Sequence, residues 1–441
     1  MISPARLFRH SARATLLATI LVAAGLLTSC SGNGDWVLFR GQGGRGYTSD
    51  NIRPPIGIKW KLQLQTDGST AFAFNNFVIR KNVMYFGSTD GNFYAMDLET
   101  GYMKWVFKTG APVNSIPYAD NKNVYFGSND GNVYAVSRSD GKKVWAYFTG
   151  RTVQSTVVRY KNFIIASSDG GSLFFLNLDG KLVNEIQNPV WHRDTFQVYD
   201  DVIYLARGPV SNPRTLGAYD LKTDSYNWLL DASVLNADWY SFPAIAGNRV
   251  FISTCTYFND HWQYDYYAFH RQTGQILWHY NDQSVFGNDP PADLYNALDR
   301  NLSILDFMAP AVWNNRVIYA SGDTILRAFD THSGALAWSH QFNFRTTSAP
   351  MIAGDRVYVG VGGDTQLTAP PNDGKPQQLN SAFQPSGKPV SPRLVCLSAR
   401  NGKVIWQMNI DGALLSPPVV AGKWIVFGTD KNFVYVLEEL I

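Results

Sequence analysis

The chain has 441 residues, of which 45% are apolar and 14% aromatic, and its formal net charge is +3. This composition supplies a large packed core and excludes a disordered chain. Arg6, Arg9 and Arg13 lie in a start that has no acidic residue, and they account for the whole excess charge. The remainder is neutral and lacks the basic field of a nucleic-acid binder.

The first thirty residues have the pattern of an export signal. A basic start precedes an apolar run over residues 14–27, and no later segment is long enough to span a bilayer. The run ends in LTSC at Cys30, which resembles the bacterial lipobox, in which the cysteine is acylated and becomes the mature N-terminus. Ser31 is similar to the outer-membrane sorting pattern. We therefore expect a signal peptide over residues 1–29 and an outer-membrane lipoprotein that faces the periplasm. An ordinary cleaved signal with an incidental cysteine is the alternative.

The other two cysteines, Cys255 and Cys396, fall in predicted strands of different repeats. We expect two buried thiols, with a disulfide as the alternative. No CxxC motif and no Cys/His cluster is present, so the sequence predicts no metal site.

The segment after the signal is rich in glycine and polar residues. We predict that residues 30–55 form the lipidated N-terminus and a tether. Residues 56–65, around Trp60, then have the pattern of a single strand that no turn motif precedes.

A repeated unit follows, first seen as VMYFGSTDGNFYAMDLETGYMKW over residues 83–105. It predicts three short strands joined by tight turns, because Asp-Gly suits a two-residue hairpin. A third copy, FIIASSDGGSLFFLNLDGKLVNEI, lacks the tryptophan. The marker positions of the other copies are Asp97, Gly101 and Trp105; Gly141 and Trp145; Asp220 and Trp228; Gly274 and Trp278; Asp330, Gly334 and Trp338; and Gly402 and Trp406.

The two ends of the repeat array complete each other. Residues 423–437 supply two strands and then no third turn, whereas residues 56–65 are an outer strand without a unit. Seven internal repeats and this composite predict an all-β, eight-bladed β-propeller of four-stranded antiparallel blades over residues 56–441. Pairing of the N-terminal strand with the C-terminal blade would close the ring and remove an open sheet edge.

The motif Ala-x-Asp-x-x-Thr-Gly-x-x-x-Trp, complete at Ala95, Asp97, Thr100, Gly101 and Trp105, resembles the tryptophan-docking motif of quinoprotein-like (PQQ-repeat) propellers. With the lipobox and eight blades, the chain is similar to the BamB family of lipoprotein scaffolds in outer-membrane β-barrel assembly. The resemblance implies a non-enzymatic, lipid-anchored scaffold whose partners are envelope proteins such as β-barrel assembly components.

Enzymes of another class share this repeat. Quinone-dependent dehydrogenases of similar fold hold their cofactor on the propeller axis, with an adjacent Cys-Cys pair and Ca²⁺ ligands. This chain has no such pair, and its histidines show no ligand spacing. We expect the repeated aspartates to cap turns and the tryptophans to pack between blades, and we expect no catalytic, cofactor-binding or metal-binding residues. A quinone- or metal-dependent oxidoreductase and a ligand- or polysaccharide-binding lipoprotein are the alternatives.

The long insertions all fall in second-to-third turns or in blade-to-blade connections, which share one face of a propeller. They are residues 188–194, 207–215, 231–240, 257–264, 282–307 and 362–393. Loops longer than the fold requires commonly carry function. The candidate interaction face comprises Trp191, Arg193, Trp239, Trp262, Tyr264 and Tyr295. The alternative is that these loops have only drifted in length and that their rings fold onto the blades.

Overall fold

The computed structural model describes residues 34–64, 77–169, 171–187, 196–206, 215–235, 237, 239–258, 261–283, 308–363, 390–414 and 416–440. These residues form eight sheets, the blades of a closed β-propeller, and the four strands of each blade pair antiparallel. No helix in this described part is long and apolar enough to cross a membrane.

The strands of the blades follow one another from the inside of the ring to its outside. Two strands precede the first whole blade: β1 (Tyr47–Thr48) and β2 (Ile56–Gln63). Blade 1 holds β3 (Val78–Arg80), β4 (Val83–Gly87), β5 (Asn92–Asp97) and β6 (Met103–Lys108). Blade 2 holds β7 (Tyr118–Ala119), β8 (Asn123–Gly127), β9 (Asn132–Ser137) and β10 (Lys143–Phe148). Blade 3 holds β11 (Val158–Tyr160), β12 (Phe163–Ser167), β13 (Ser172–Asn177) and β14 (Leu182–Gln187).

The next two blades continue the pattern with a short helix between them. Blade 4 holds β15 (Phe196–Tyr199), β16 (Val202–Ala206), β17 (Thr215–Asp220) and β18 (Ser225–Asp231), followed by α1 (Ala232–Leu235). Blade 5 holds β20 (Ala244–Ala246), β21 (Arg249–Phe258), β22 (His261–His270) and β23 (Ile276–Gln283), and β19 (Trp239–Tyr240) also pairs with β21.

Three blades complete the ring. Blade 6 holds β24 (Ala311–Trp313), β25 (Arg316–Ala320), β26 (Ile325–Asp330) and β27 (Leu336–Gln341). Blade 7 holds β28 (Met351–Ala353), β29 (Arg356–Val361), β30 (Arg393–Ser398) and β31 (Val404–Asn409). Blade 8 holds β32 (Val419–Ala421), β33 (Trp424–Gly428) and β34 (Phe433–Glu439), with β2 as its outer strand.

Blade 8 joins the two ends of the chain, as the sequence predicts. β2 pairs antiparallel with β34 from Ile56 opposite Glu439 to Gln63 opposite Phe433. This pairing converts a linear array of repeats into a ring, and a ring leaves no repeat with an unpacked face.

The repeated tryptophans pack between blades, which confirms their structural assignment. Six of the tryptophans lie against the glycine of the third-to-outer turn in the next blade, and each of these six donates its indole N–H to a carbonyl of that turn at 2.8–3.0 Å. The pairs are Trp60 and Gly101, Trp105 and Gly141, Trp145 and Gly180, Trp228 and Gly274, Trp278 and Gly334, and Trp338 and Gly402. Glycine is required because its φ is positive and a Cβ would overlap the indole.

Two departures from the pairing of tryptophan with glycine are coupled. In blade 3 the position opposite Phe175 is Asn184 instead of tryptophan, and in blade 4 the glycine position is Asp224. Since the blade 3 tryptophan would dock on the blade 4 glycine, both halves of one contact are missing together. Charged contacts cross this junction instead: the Lys161 ammonium lies 2.8 Å from the Asp201 carboxylate, and Tyr160 donates a hydrogen bond to the same carboxylate.

The predicted tether is wrong for the described residues 34–55. Trp36, Phe39 and Ile52 are buried, residues 42–44 form a short 3-10 helix, and β1 pairs in parallel with β28 of blade 7. The segment is therefore part of the folded domain. A segment rich in glycine and polar residues can be either a tightly packed part of the fold or a flexible linker. Composition alone therefore did not distinguish a folded segment from a tether.

Candidate functional site

The space enclosed by the inner strands contains residues 34–52, which we name the axial segment. It contacts the blades in order around the ring. The Trp36 and Ile79 backbones form a bridge in blade 1, and the Ala119 N–H of blade 2 donates to the Val37 carbonyl at 3.2 Å. Leu38 then packs on the apolar cluster of blades 3 and 4.

The second half of the axial segment completes the circuit. The Val312 N–H of blade 6 donates to the Arg45 carbonyl, and the Ile352 N–H of blade 7 donates to the Gly46 carbonyl, both at 2.8 Å. The Gly422 N–H of blade 8 donates to the Asp50 carboxylate at 2.6 Å. The segment thus hydrogen-bonds or packs against inner strands that are hundreds of residues away in sequence.

Phe39 packs across the interior of the ring. It forms one apolar cluster with Ile116 of blade 2, Phe242 of blade 5 and Ala309 of blade 6, and its ring centroid lies 4.9 Å from that of Phe242. Gln197 of blade 4 donates its amide to the Phe39 carbonyl at 3.2 Å. One aromatic side chain therefore contacts blades on opposite sides of the ring.

Arg40 is the most unusual residue of the axial segment, because it is charged and only 1% exposed. Its guanidinium donates to the carbonyls of Pro310 at 2.8 Å and Pro350 at 3.0 Å, at the starts of the inner strands of blades 6 and 7. Burial lowers the pKa of the Arg40 guanidinium. The carbonyl acceptors stabilise the charged form, and no carboxylate within the described part of the chain pairs with it.

The packing of the axial segment determines how much space remains for a cofactor at the axis. A Cβ on Gly43 would lie 2.7 Å from the Ile245 carbonyl, and a Cβ on Gly44 would lie 2.8 Å from the Pro243 carbonyl, so the backbone itself is pressed against blade 5. The side chains of Phe39 and Arg40 take up the space between the inner strands. These residues do not fit a quinone held at the same level of the channel.

Sequence reasoning missed the axial segment as a structural element. The available signal was Trp36 and Phe39, two large apolar residues within a stretch otherwise read as polar. Buried arginine could not be inferred in this way, because arginine is rarely fully buried.

The two faces of the propeller differ as the strand directions predict. The short-turn face carries the inner-to-second turns, such as residues 81–82, and the third-to-outer turns, such as residues 98–102. The loop-rich face carries the second-to-third turns and the blade-to-blade connections, and the strands that flank the insertions named above end or begin at this face. Trp191, Arg193 and Tyr295 of the candidate interaction face lie outside the described residues.

The described part of the candidate interaction face corrects two expectations. Residues 257–264 are not a loop: β21 continues to Phe258 and β22 begins at His261, so blade 5 is a lengthened hairpin. The ring of Tyr264, expected on the surface, is 5% exposed and packs in the core of blades 5 and 6. Trp262 pairs with Tyr257 within this hairpin, and Trp239 lies in β19.

A buried ionic cluster supports the loop-rich face between blades 5 and 6. The Arg327 guanidinium lies 2.7 Å from the Asp323 carboxylate and 2.6 Å from that of Asp282, and it stacks over the Tyr266 ring at 5.7 Å. Burial raises the pKa of Asp323, against the opposing effect of Arg327. Both carboxylates lie against one arginine, so the cluster joins the end of β23 to the start of β26.

One histidine has a close acidic partner. His279 Nε2 lies 2.6 Å from the Asp265 carboxylate, and Asn281 donates its amide to the same oxygen at 2.8 Å. The ring of His279, in the outer strand β23, stacks on the ring of Tyr267 in the neighbouring strand β22. Among the described residues, no group of three or more histidine, cysteine, aspartate or glutamate side chains could hold a metal ion.

The repeated aspartates cap turns, as predicted. The Asp97 carboxylate accepts from the Thr100 N–H at 3.0 Å. Asp220 and Asp330 accept from the N–H groups three residues on in their own turns, and such backbone hydrogen bonds lower the pKa of both carboxyl groups. Cys255 and Cys396 are buried thiols in blades 5 and 7, again as predicted.

A family model described as outer membrane protein assembly factor BamB matches residues 57–280, 215–389 and 382–440, which together cover the whole propeller. The chain belongs to this family. Its solved relatives include BamB from Moraxella catarrhalis, at 13% identity and a TM-score of 0.58, covering 87% of this chain and 99% of that one.

Enzymes share the same architecture. Quinohemoprotein alcohol dehydrogenase from Comamonas testosteroni aligns at 15% identity and a TM-score of 0.63, covering 93% of this chain and 81% of that one. The dehydrogenase subunit of the quinone-type alcohol dehydrogenase of Gluconobacter oxydans (strain 621H) is 31% identical over 102 residues. That match covers 21% of this chain and 12% of the enzyme. At these identities and coverages the structures show a common fold, which both kinds of protein use.

Proposed function

We propose that this protein is a lipid-anchored, non-enzymatic scaffold that acts on the periplasmic side of the outer membrane in the assembly of outer-membrane proteins. The observation that carries the proposal is the axial segment. Phe39 and Arg40 take up the axial space in which the enzymes of this fold class hold a cofactor, whereas the strands that flank the long connections all meet them at one face.

Three further features support a scaffold. The family match spans the propeller, whereas the match to the curated dehydrogenase spans a small part of each chain. The Arg327 cluster and the turn-capping aspartates are engaged in structural contacts. The lengthened hairpin of blade 5 extends the loop-rich face outward by several residues, at about 3.4 Å per residue.

The anchor follows from the lipobox at Cys30. Two or three acyl chains bind a protein to a bilayer far more firmly than one chain does. Changing Cys30 to serine should release the protein from membranes without changing its melting temperature, and unchanged membrane fractionation of the variant would contradict the anchor.

Affinity capture from solubilised envelopes tests the scaffold. The full-length tagged chain should retain outer-membrane assembly proteins through washes at high salt, and it should do so in the Cys30→Ser form as well. Recovery of no assembly component by either form, while a known envelope complex is recovered in parallel, would refute the proposed role.

A further inference from the structure

Both ends of the axial segment lie at the short-turn face. At its start, the Lys81 N–H of blade 1 donates to the Asp35 carboxylate at 2.7 Å. At its end, the Gly354 N–H of blade 7 donates to the Thr48 carbonyl at 3.0 Å, and the Gly422 N–H of blade 8 donates to Asp50. All three donors are in inner-to-second turns. The chain therefore enters the ring and leaves it through the same face.

The covalent chain limits how far the N-terminus can reach from this point. Four peptide units separate Cys30 from Gly34, which is at most about 14 Å of fully extended chain. The second and third strands of blade 1, beside the start of the axial segment, are five and six residues long and span about 17–20 Å from one face to the other. A group on Cys30 cannot pass around the propeller to the loop-rich face.

The charge of the short-turn face suits a lipid surface. Within its hairpin turns, nine lysines and arginines are exposed, against five exposed aspartates and glutamates. The exposed lysines come from six blades and so surround the point where the axial segment enters; they include Lys81, Lys122, Lys161, Lys222, Lys403 and Lys423. Anionic headgroups attract basic side chains held within a Debye length of the bilayer.

We propose that the short-turn face docks against a phospholipid bilayer that contains anionic headgroups, and that the loop-rich face points away from the membrane. This inference rests on the proposed anchor at Cys30. The axial segment links the anchor at Cys30 rigidly to the propeller, because its hydrogen bonds to blades 1, 7 and 8 fix where the chain leaves the ring. A flexible tether of the same length would not set an orientation.

Fluorescence quenching measures the orientation. The full-length lipidated protein is placed in vesicles that contain anionic phospholipid and a quencher attached to the lipid headgroup. One variant carries a fluorophore at Lys142→Cys, in a short-turn-face hairpin of blade 2 where the lysine side chain is 84% exposed. The matched variant carries it at Arg151→Cys, an exposed position at the loop-rich end of the same blade. Cys255 and Cys396 are buried and do not compete for the label.

Quenching at position 142 should exceed quenching at position 151 several-fold. Equal quenching at the two positions, or stronger quenching at 151, overturns the orientation. Mass spectrometry of the same preparation reports whether Cys30 is acylated, so failure of the anchor is seen separately.

A second preparation keeps the orientation testable without the native lipid. Residues 1–30 are replaced by a polyhistidine tag, and the protein is bound to vesicles that contain a nickel-chelating lipid. The same preference for position 142 supports the proposal, because the axial segment still determines where the chain emerges. A reversed preference overturns it even if the native protein proves to be acylated.

Discussion

The indole of Trp338 in blade 6 lies flat against Gly402 in blade 7. A Cβ on Gly402, whose φ is +69°, would lie 2.5 Å from Cε3 of that ring. The indole N–H of Trp338 also donates to the Ala399 carbonyl of the same turn at 3.0 Å. One residue without a side chain thus creates the socket that joins two blades, and the contact recurs around most of the ring.

Changing Gly402 to alanine should destabilise the propeller by about 2–4 kcal/mol, since the left-handed backbone costs about 1 kcal/mol and overpacking adds about 1–3 kcal/mol. The free energy of unfolding from urea titration measures the loss. Gly247→Ala is the matched control, because Gly247 also has a positive φ, of +59°, but no atom lies within 4 Å of its Cβ position. If the two variants lose the same free energy of unfolding, the contact between Gly402 and the Trp338 indole does not stabilise the junction between blades.

Changing Arg40 to alanine should cost about 3 kcal/mol, because the buried carbonyls of Pro310 and Pro350 lose their donor. The variant should also expose residues 34–52 to limited proteolysis. Arg53→Ala, an exposed change just beyond the axial segment, should have little effect on either measurement. Comparable results for both arginines would show that the axial segment is held by other contacts.

Changing Asp201 to asparagine should weaken the junction between blades 3 and 4 by no more than about 1 kcal/mol, because its ion pairs are partly exposed. Hydrogen bonds from Lys161, Lys222 and Tyr160 lower the pKa of Asp201 in the folded state. Its contribution is therefore full above the unfolded pKa, about 3.9, and is lost as the pH falls further.

Urea titrations of the wild type and of Asp201→Asn should thus give the same stability difference at pH 7 and pH 5, and a smaller difference below about pH 4. Asp179→Asn, an exposed change in blade 3, serves as the control. A difference that persists unchanged below that pH would mean that the charge of Asp201 does not stabilise the junction.

Addition of pyrroloquinoline quinone and Ca²⁺ should produce neither stoichiometric binding by calorimetry nor oxidation of alcohols. The physical reason is steric: Phe39 packs among side chains of blades 2, 5 and 6, and Arg40 donates hydrogen bonds to carbonyls of blades 6 and 7. Saturable binding with one quinone per chain would favour the oxidoreductase alternative. Binding that appears only after removal of residues 34–52 would show that the channel itself can accept a quinone.

Alanine at Trp239 and Trp262 should weaken capture of an envelope partner without lowering the melting temperature, since truncating an interface anchor commonly costs about 2 kcal/mol or more of binding. Trp191, Arg193 and Tyr295, which the sequence assigns to the same candidate interaction face, form a second set of changes. The control is the double change of Lys104 and Lys142 to alanine on the short-turn face. Loss of capture by the control alone would reverse the assignment of faces, whereas unfolding of the tryptophan variants would mean that those rings pack on the blades, as Tyr264 does.

The local pattern of the sequence determined the propeller and its closure. Asp-Gly turns, the spacing from aspartate to glycine to tryptophan, and the incomplete units at the two ends are short-range signals, because a hairpin is specified by a few adjacent residues. The paired loss of Trp and Gly between blades 3 and 4 was also visible in the sequence, but its meaning required knowledge of which turn faces which indole.

Three features became clear only from the tertiary structure. They are the folding of residues 34–52 inside the ring, the burial of Tyr264 and the length of the blade 5 hairpin. The Arg40 guanidinium donates a hydrogen bond to the carbonyl of Pro350, 310 residues away in sequence, and no local sequence preference predicts such a contact. A glycine-rich segment becomes ordered only when a closed ring supplies acceptors and apolar walls on every side. Burial is a property of what surrounds a residue, and here the surroundings come from all eight blades.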